Sequence, residues 1–467
     1  MALSDRRYNP RKSDVYRLHK KWLQKNIGPE SGDGMFKELE KRIEEYDSEN
    51  KERGGKAALQ RFEAGMGKGK TSDTPLALAI CTPIMARVHS MVQQSAETVF
   101  CDSTADLDRY NNPLFLLSTS TPAGGVPLGC VVTSGESEST VTAALKKLKE
   151  VLPSNAFYGR GDLGAKVILT DDSPPERNAL HSIWPEATLL LCIFHFLQSR
   201  WTYLWDAKNK IAKNDRALII GLMKEMVFAE NTENLQDASD NFVSSKIVSK
   251  YPHLLKYFEG FWSRKLEWAL ALRKHLMLHG NNTNNISEAG IRILKEIIFQ
   301  RVQAFNLVQI FDFITITLET YFEQRLLATA HLRLDSHIAL QFKGMGISNL
   351  PPAFITPVDP KKGLYAVQST SKKKMSYIVD ISLGVCECPT GIQGKLCKHQ
   401  AATIKKYQLH ARNMVPLTST TGQQYYAVLA LGERNTQPIS FYASLHQKVT
   451  KDEAGKNGIV CDEKGCC

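Results

Sequence analysis

Two thiols one residue apart, Cys386-Glu387-Cys388, are followed by Cys397-Lys398-His399. Thiolate sulfur and imidazole nitrogen are the ligands zinc takes in structural sites, and four of them close a tetrahedron. A Cys₃His set within fourteen residues leaves no open position for a reacting water, so a structural zinc is the expected occupant. An iron–sulfur cluster fits less well, because imidazole is an uncommon ligand there. Gly391 and Gly394 let the chain turn between the two ligand pairs. The C-x-C spacing differs from the C-x₂-C of a zinc knuckle.

The elements that hold these ligands are short. Residues 365–369 and 376–381 alternate as two strands of a hairpin around 371–374, and residues 400–408 read as a helix. With C-x-C…C-x-H, this ββα order resembles the SWIM zinc finger over residues 364–410. That resemblance implies binding of DNA or of protein partners. Lys372, Lys373, Lys374, Lys395, Lys398, Lys405 and Lys406 surround the cluster and favour phosphate contacts.

The middle of the chain carries a different pattern. Residues 75–94 read as a buried amphipathic helix. Apolar runs at 97–101, 113–118, 127–133, 166–170 and 188–194 read as strands, with helices at 141–152 and 174–183. The order from residue 97 is β-β-β-α-β-α-β. Residues 197–280 are helical throughout, with aromatic residues such as Trp201, Tyr203, Trp205, Phe258, Phe261, Trp262 and Trp268 read mainly as helical core. Further helices are expected at 286–300 and 306–334, and a Pro- and Gly-rich linker at 346–363.

This order resembles an RNase H-like core, which implies an α/β fold with one acid on the first strand, one after the fourth, and one on a later helix. Asp102 and Asp171 occupy the two strand positions. Neighbouring strands place two carboxylates side by side, as hard divalent cations need. Several motifs then occur in order: Cys101-Asp102-Ser103-Thr104; Thr170-Asp171 with Glu176 and Ala179; Trp184-Pro185-Glu186-Ala187; Cys192-x-x-His195; and Thr283-Asn284-Asn285-x-x-Glu288. Together they resemble the Mutator-like (MULE) DDE transposases, as does a SWIM finger placed after the core. The resemblance covers roughly residues 75–410. It implies Asp102, Asp171 and Glu288 as a catalytic triad holding Mg²⁺ or Mn²⁺, and DNA, as transposon ends and target, as the partner.

Asp172 adjoins Asp171, but alternation turns only one of them toward the metals, and the acid directly after the strand fits the family better. Asp172 or Ser173 then remains free to cap the next helix. Cys192 and His195 are read as a packed thiol and a hydrogen-bonded imidazole. A metal or DNA contact is the competing reading, and the sequence offers no second ligand pair beside them.

The 467 residues divide into several units. They are a basic, polar, helical region at 1–74; the RNase H-like transposase domain at 75–345, with a helical insertion at about 197–283; the linker; the finger; and an unassigned tail at 411–467. Residues 65–70 lack P-loop spacing, because position 63 is Glu. No run of apolar residues is long enough to span a membrane, and the N-terminus carries no apolar signal-peptide core. The ten cysteines are therefore expected as thiols or metal ligands.

Net charge is +11 and unevenly placed. Residues 1–70 hold 17 basic and 12 acidic residues, residues 351–467 hold 15 and 8, and the middle holds 27 and 28. Two basic flanks around a neutral body favour a polyanionic partner. A nuclear location follows from the DNA reading, with Lys361, Lys362 and Lys372–Lys374 as an import signal. Residues 1–74 hold no Cys and only His19, so the N-terminal zinc domain common in that family is not expected there. Two other readings stay open: a catalytically inactive DNA-binding or transcriptional regulator on the same fold, and a SWIM protein-interaction module with an inert body. A homo-oligomer is compatible with each.

Overall fold

The computed structural model describes residues 10–63, 74–333, 350–370, 375–407, 409, 411, 413–414 and 419–452. The expectations for residues 65–70, for Lys372–Lys374 and for Cys461, Cys466 and Cys467 lie outside them. The chain forms two compact units, Met1–Phe322 and Glu323–Cys467. No helix among the described residues is long and apolar enough to cross a membrane.

The first unit is mixed α/β, built on a seven-stranded sheet. Its strands are β1 (Lys56–Gln60), β2 (Ala77–Cys81), β3 (Thr98–Thr104), β4 (Leu114–Thr121), β5 (Gly124–Thr133), β6 (Val167–Thr170) and β7 (Thr188–Leu191). Their spatial order is β1-β2-β5-β4-β3-β6-β7. From β1 to β3 every neighbouring pair is antiparallel, while β3, β6 and β7 run parallel. β2 and β6 are buried on both faces, which is why they read as nearly unbroken apolar runs.

One expected helix is in part a strand. Residues 75–94 form β2, and then a helix at Pro83–Met91 that Thr82 caps. The apolar run before Pro83 has no helical period because both of its faces are covered, and Pro83 marks the first helical turn. β1 pairs with β2 and lies within the N-terminal stretch that reads as helical, beside helices Lys12–Asn26 and Asp33–Asn50. The other strands and helices of the middle region lie where the sequence reading puts them, with ends shifted by a few residues.

Helices Ile193–Trp205, Lys213–Val227, Thr232–Ser244 and Pro252–Trp262 make the helical block. They share one apolar core in which Phe196 stacks on Trp268 at 4.8 Å and Phe258 meets Phe261 at 5.2 Å. Trp201 is half exposed and stacks on Trp205 at 3.6 Å.

The second unit contains a four-stranded antiparallel sheet, β11-β10-β9-β8, from β8 (Ile355–Asp359), β9 (Leu364–Gln368), β10 (Ser376–Asp380) and β11 (Val385–Cys386). Helix Lys398–Tyr407 packs on it, and helices Thr420–Leu431 and Ile439–Asp452 follow. β8 lies in the stretch read as a linker. Pro357 hid it, but Pro357 sits on an edge strand beside a register shift, where a missing N–H is tolerated.

Candidate functional site

The register of the parallel strands creates the site in the first unit. Phe100 of β3 pairs with Leu169 of β6, and Leu169 pairs with Leu190 of β7. Side chains two residues on share the same face. Asp102, Asp171 and Cys192 therefore form one row across three neighbouring strand ends, which lie about 4.8 Å apart. The Cys192 N–H to Thr170 O bond, 2.9 Å, carries the ladder past the end of β7. Directly behind this row lies an apolar layer of Phe100, Leu169 and Leu190, covered by Leu278.

The third acid arrives on helix Asn285–Ile293. Asn284, fully buried, ties the start of this helix to the sheet by donating from its side chain to Cys101 O at 3.3 Å. The Asn284 N–H also donates to Cys192 Sγ at 3.2 Å. Gly290 rests on Leu116, the residue that pairs with Asp102 on β4, and Gly125 makes room for Ile286. Helix and acids thus lie on the same face of the sheet.

His195, one turn into helix Ile193–Trp205, reaches the same place. Its Nε2 stands 3.0 Å from Glu288 Oε1 and 3.5 Å from Asp171 Oδ1, and Nδ1 stands 3.1 Å from Gln198 Oε1. Asp172 points elsewhere: Arg264 holds it at 2.8 Å and Arg200 lies 3.7 Å away. Glu267 joins this cluster by pairing with Arg264 and with the buried Arg177, each at 2.7 Å.

Burial, with the nearby negative charge, raises the pKa of these carboxyls. Burial, followed by the charges of Asp171 and Glu288, pushes Asp102 up to about 7. Burial also raises Asp171, opposed by His195 and by a hydrogen bond from Asn284. Glu176, on the first turn of helix Pro174–Ile183, is pushed up to about 8 by burial and by Asp102. Each carboxylate gives up solvation in a site that already holds negative charge, an arrangement that a bound cation offsets.

All three expected acids lie in this one region, and Asp171 rather than Asp172 faces the other two. Cys192 is packed as expected, but His195 touches two of the acids. The reading of a hydrogen-bonded imidazole did not name these acids as its partners, and the sequence reading gave Glu176 no place at the site. The signal was present in Cys192-x-x-His195: a helix starting where a parallel strand ends carries its first-turn side chains over the strand ends.

In the second unit, Cys386, Cys388, Cys397 and His399 converge, with one ligand atom from each inside a mutual distance of 4.8 Å. His399 Nδ1 stands 3.8 Å from Cys386 Sγ and 3.9 Å from Cys397 Sγ. The Gly391 N–H donates to Cys388 Sγ at 3.3 Å. Only glycine fits at position 391, because a β-carbon there would stand 2.5 Å from that of Cys386. The Cys397 N–H donates to the Gln400 side chain at 3.0 Å, and Asn413 holds the same oxygen at 3.1 Å. Three buried thiols and an imidazole are a donor set suited to zinc.

Residues 98–199 match the family model of the MULE transposase domain. This span runs from the start of β3 into helix Ile193–Trp205 and so contains Asp102, Asp171, Cys192 and His195. No curated protein matches the chain.

Proposed function

We propose that the chain is a MULE-type DDE transposase, or a derivative of one, that cuts and joins DNA strands at Asp102, Asp171 and Glu288. The observation that carries this reading is the in-register placement of Asp102 and Asp171 on β3 and after β6, with Glu288 brought to them by helix Asn285–Ile293. The match of residues 98–199 to the transposase domain supports it. So does the strand order β5-β4-β3-β6-β7, which suits an RNase H-like core that β1 and β2 extend at one edge.

The donor set fits Mg²⁺ or Mn²⁺. All three side chains offer oxygen, and Asp171 Oδ1 is buried without a hydrogen-bond partner. Asp102, Asp171 and Glu288 would hold the cations, which supply activation of the attacking oxygen and neutralisation of phosphate charge. The chain's own residues do the positioning. β3 and β6 fix two carboxylates, Asn284 anchors the third through the helix, and Arg264 draws Asp172 away. The basic flanks would hold the DNA backbone. Residues 364–410 would be a SWIM-type finger with zinc on Cys386, Cys388, Cys397 and His399, serving DNA or protein binding.

The test is strand cleavage on terminal-repeat DNA with Mg²⁺ or Mn²⁺. Wild type cuts, and Asp102→Ala, Asp171→Ala and Glu288→Ala each abolish cutting. Binding without cleavage under either metal would favour the inactive regulator instead.

A further inference from the structure

We propose that Asp171, Cys192 and His195 form a second zinc site, and that zinc bound there displaces the hard cation from the proposed catalytic centre. The three ligand atoms lie within 4.8 Å of one another. Glu288 Oε1 lies 3.0 Å from the same His195 Nε2, beside this group of three. One sulfur, one imidazole and one carboxylate, with water as the fourth ligand, make a mixed set that zinc accepts and magnesium does not.

The local fold prepares the sulfur for this role. Cys192 stands at the N-terminal cap of the thirteen-residue helix Ile193–Trp205. The Asn284 N–H donates to its sulfur at 3.2 Å, and the N–H groups of Phe194 and His195 also face it. Burial raises the thiol's pKa and these donors oppose that rise only in part, so the site rests on the placement of the sulfur. The C-x-x-H spacing then sets the imidazole one helical turn beyond the sulfur, on the side where Asp171 ends its row. The carboxylate partner is no neighbour of Cys192 in sequence: Asp171 follows β6. For that reason the spacing alone shows only half a site.

Binding forms a zinc–sulfur bond and breaks the thiol S–H, whose proton leaves to solvent. Zinc held this way occupies Asp171, so Mg²⁺ or Mn²⁺ loses one of its three carboxylates. The binding claim stands on geometry alone, while the silencing rests on the proposed function.

The test measures zinc per chain by elemental analysis. Full-length wild type, Cys192→Ser and His195→Asn are dialysed against one zinc-buffered solution. Each variant holds one zinc fewer than wild type. Should Cys192→Ser fail to fold, His195→Asn decides the matter, because that ring is 29% exposed and lies outside the core. Equal zinc in wild type and His195→Asn overturns the proposal. The silencing is read separately: zinc added to Mg²⁺-dependent cleavage stops wild type, and Cys192→Ser needs at least about tenfold more. Equal sensitivity overturns the silencing. A wild type that never cleaves defeats the proposed function but leaves the zinc count to decide the site.

Discussion

Gly290 lies against Leu116: a β-carbon on Gly290 would stand 2.8 Å from Leu116 Cδ2. Leu116 pairs with Asp102 across β3 and β4, so this contact sets how closely the helix bearing Glu288 approaches the strand bearing Asp102. The site depends on a missing side chain.

Gly290→Val should therefore lift the helix. We expect a loss of about 1–3 kcal/mol in stability from overpacking and a weaker response to Mn²⁺. Gly221, in helix Lys213–Val227, has no heavy atom within 4 Å of an added β-carbon. Gly221→Ala should instead stabilise by about 0.5–1 kcal/mol. Thermal melts of the two variants check the pair of signs. A Gly290→Val protein as stable as wild type would show that the helix has room to spare.

Asp171 and Asp172 should separate cleanly. Asp171→Asn should weaken Mn²⁺ binding at the first-unit site by at least about tenfold, as loss of a ligand does. Asp172→Asn should leave that affinity within about twofold. Its cost falls on stability, because the buried Arg200 loses its carboxylate partner and Arg264 is left with Glu267. Calorimetric Mn²⁺ titration with a parallel melt reads both effects. Equal affinity losses would mean that the two acids are not sorted by the arginine cluster.

His89 should give the fold an acid limit. Its Nδ1 accepts the Phe157 N–H at 3.1 Å and its Nε2 faces Leu128 O at 3.0 Å, so the neutral ring satisfies both contacts. Burial depresses its pKa from 6.5 to about 3. Between those values the unfolded chain binds the proton and the folded chain does not. The contribution is complete above about 6.5 and is lost as pH falls toward about 3. A His89→Gln protein should show a flatter stability profile over that window in urea titrations. An unchanged slope would remove His89 from the acid response.

Loss of the metal from the Cys386, Cys388, Cys397 and His399 cluster should act locally on the second unit. The thiols of Cys386, Cys388 and Cys397 are buried around His399, and Gln400 and Asn413 brace the loops. Cys388→Ser should raise amide exchange through residues 376–407, since zinc bound there would supply folding energy. Exchange in β3 and β6 should stay slow. Protection that survives metal removal would show a hairpin and helix able to stand without zinc.

These residues also show what the sequence could reveal. The Cys₃His set was legible because all four ligands lie on one short hairpin–helix unit, where spacing along the chain is nearly spacing in space. Asp102, Asp171 and Glu288 were expected together only by resemblance, since nothing in their own spacing joins three elements. The contacts of His195 were hidden for the same reason: they depend on the register of β6 with β7 and on a helix some ninety residues later. β2 was concealed by its burial on both faces, which removes the alternation that marks a strand, and β8 by Pro357.

The most direct measurement is metal-dependent nicking of terminal-repeat DNA by wild type and by Glu288→Gln, which keeps the side chain's shape and removes its charge. The account predicts Mg²⁺- or Mn²⁺-dependent product from wild type and a fall of at least about a hundredfold in Glu288→Gln, of the size seen when a transition-state charge partner is lost. Equal rates for the two proteins would contradict it.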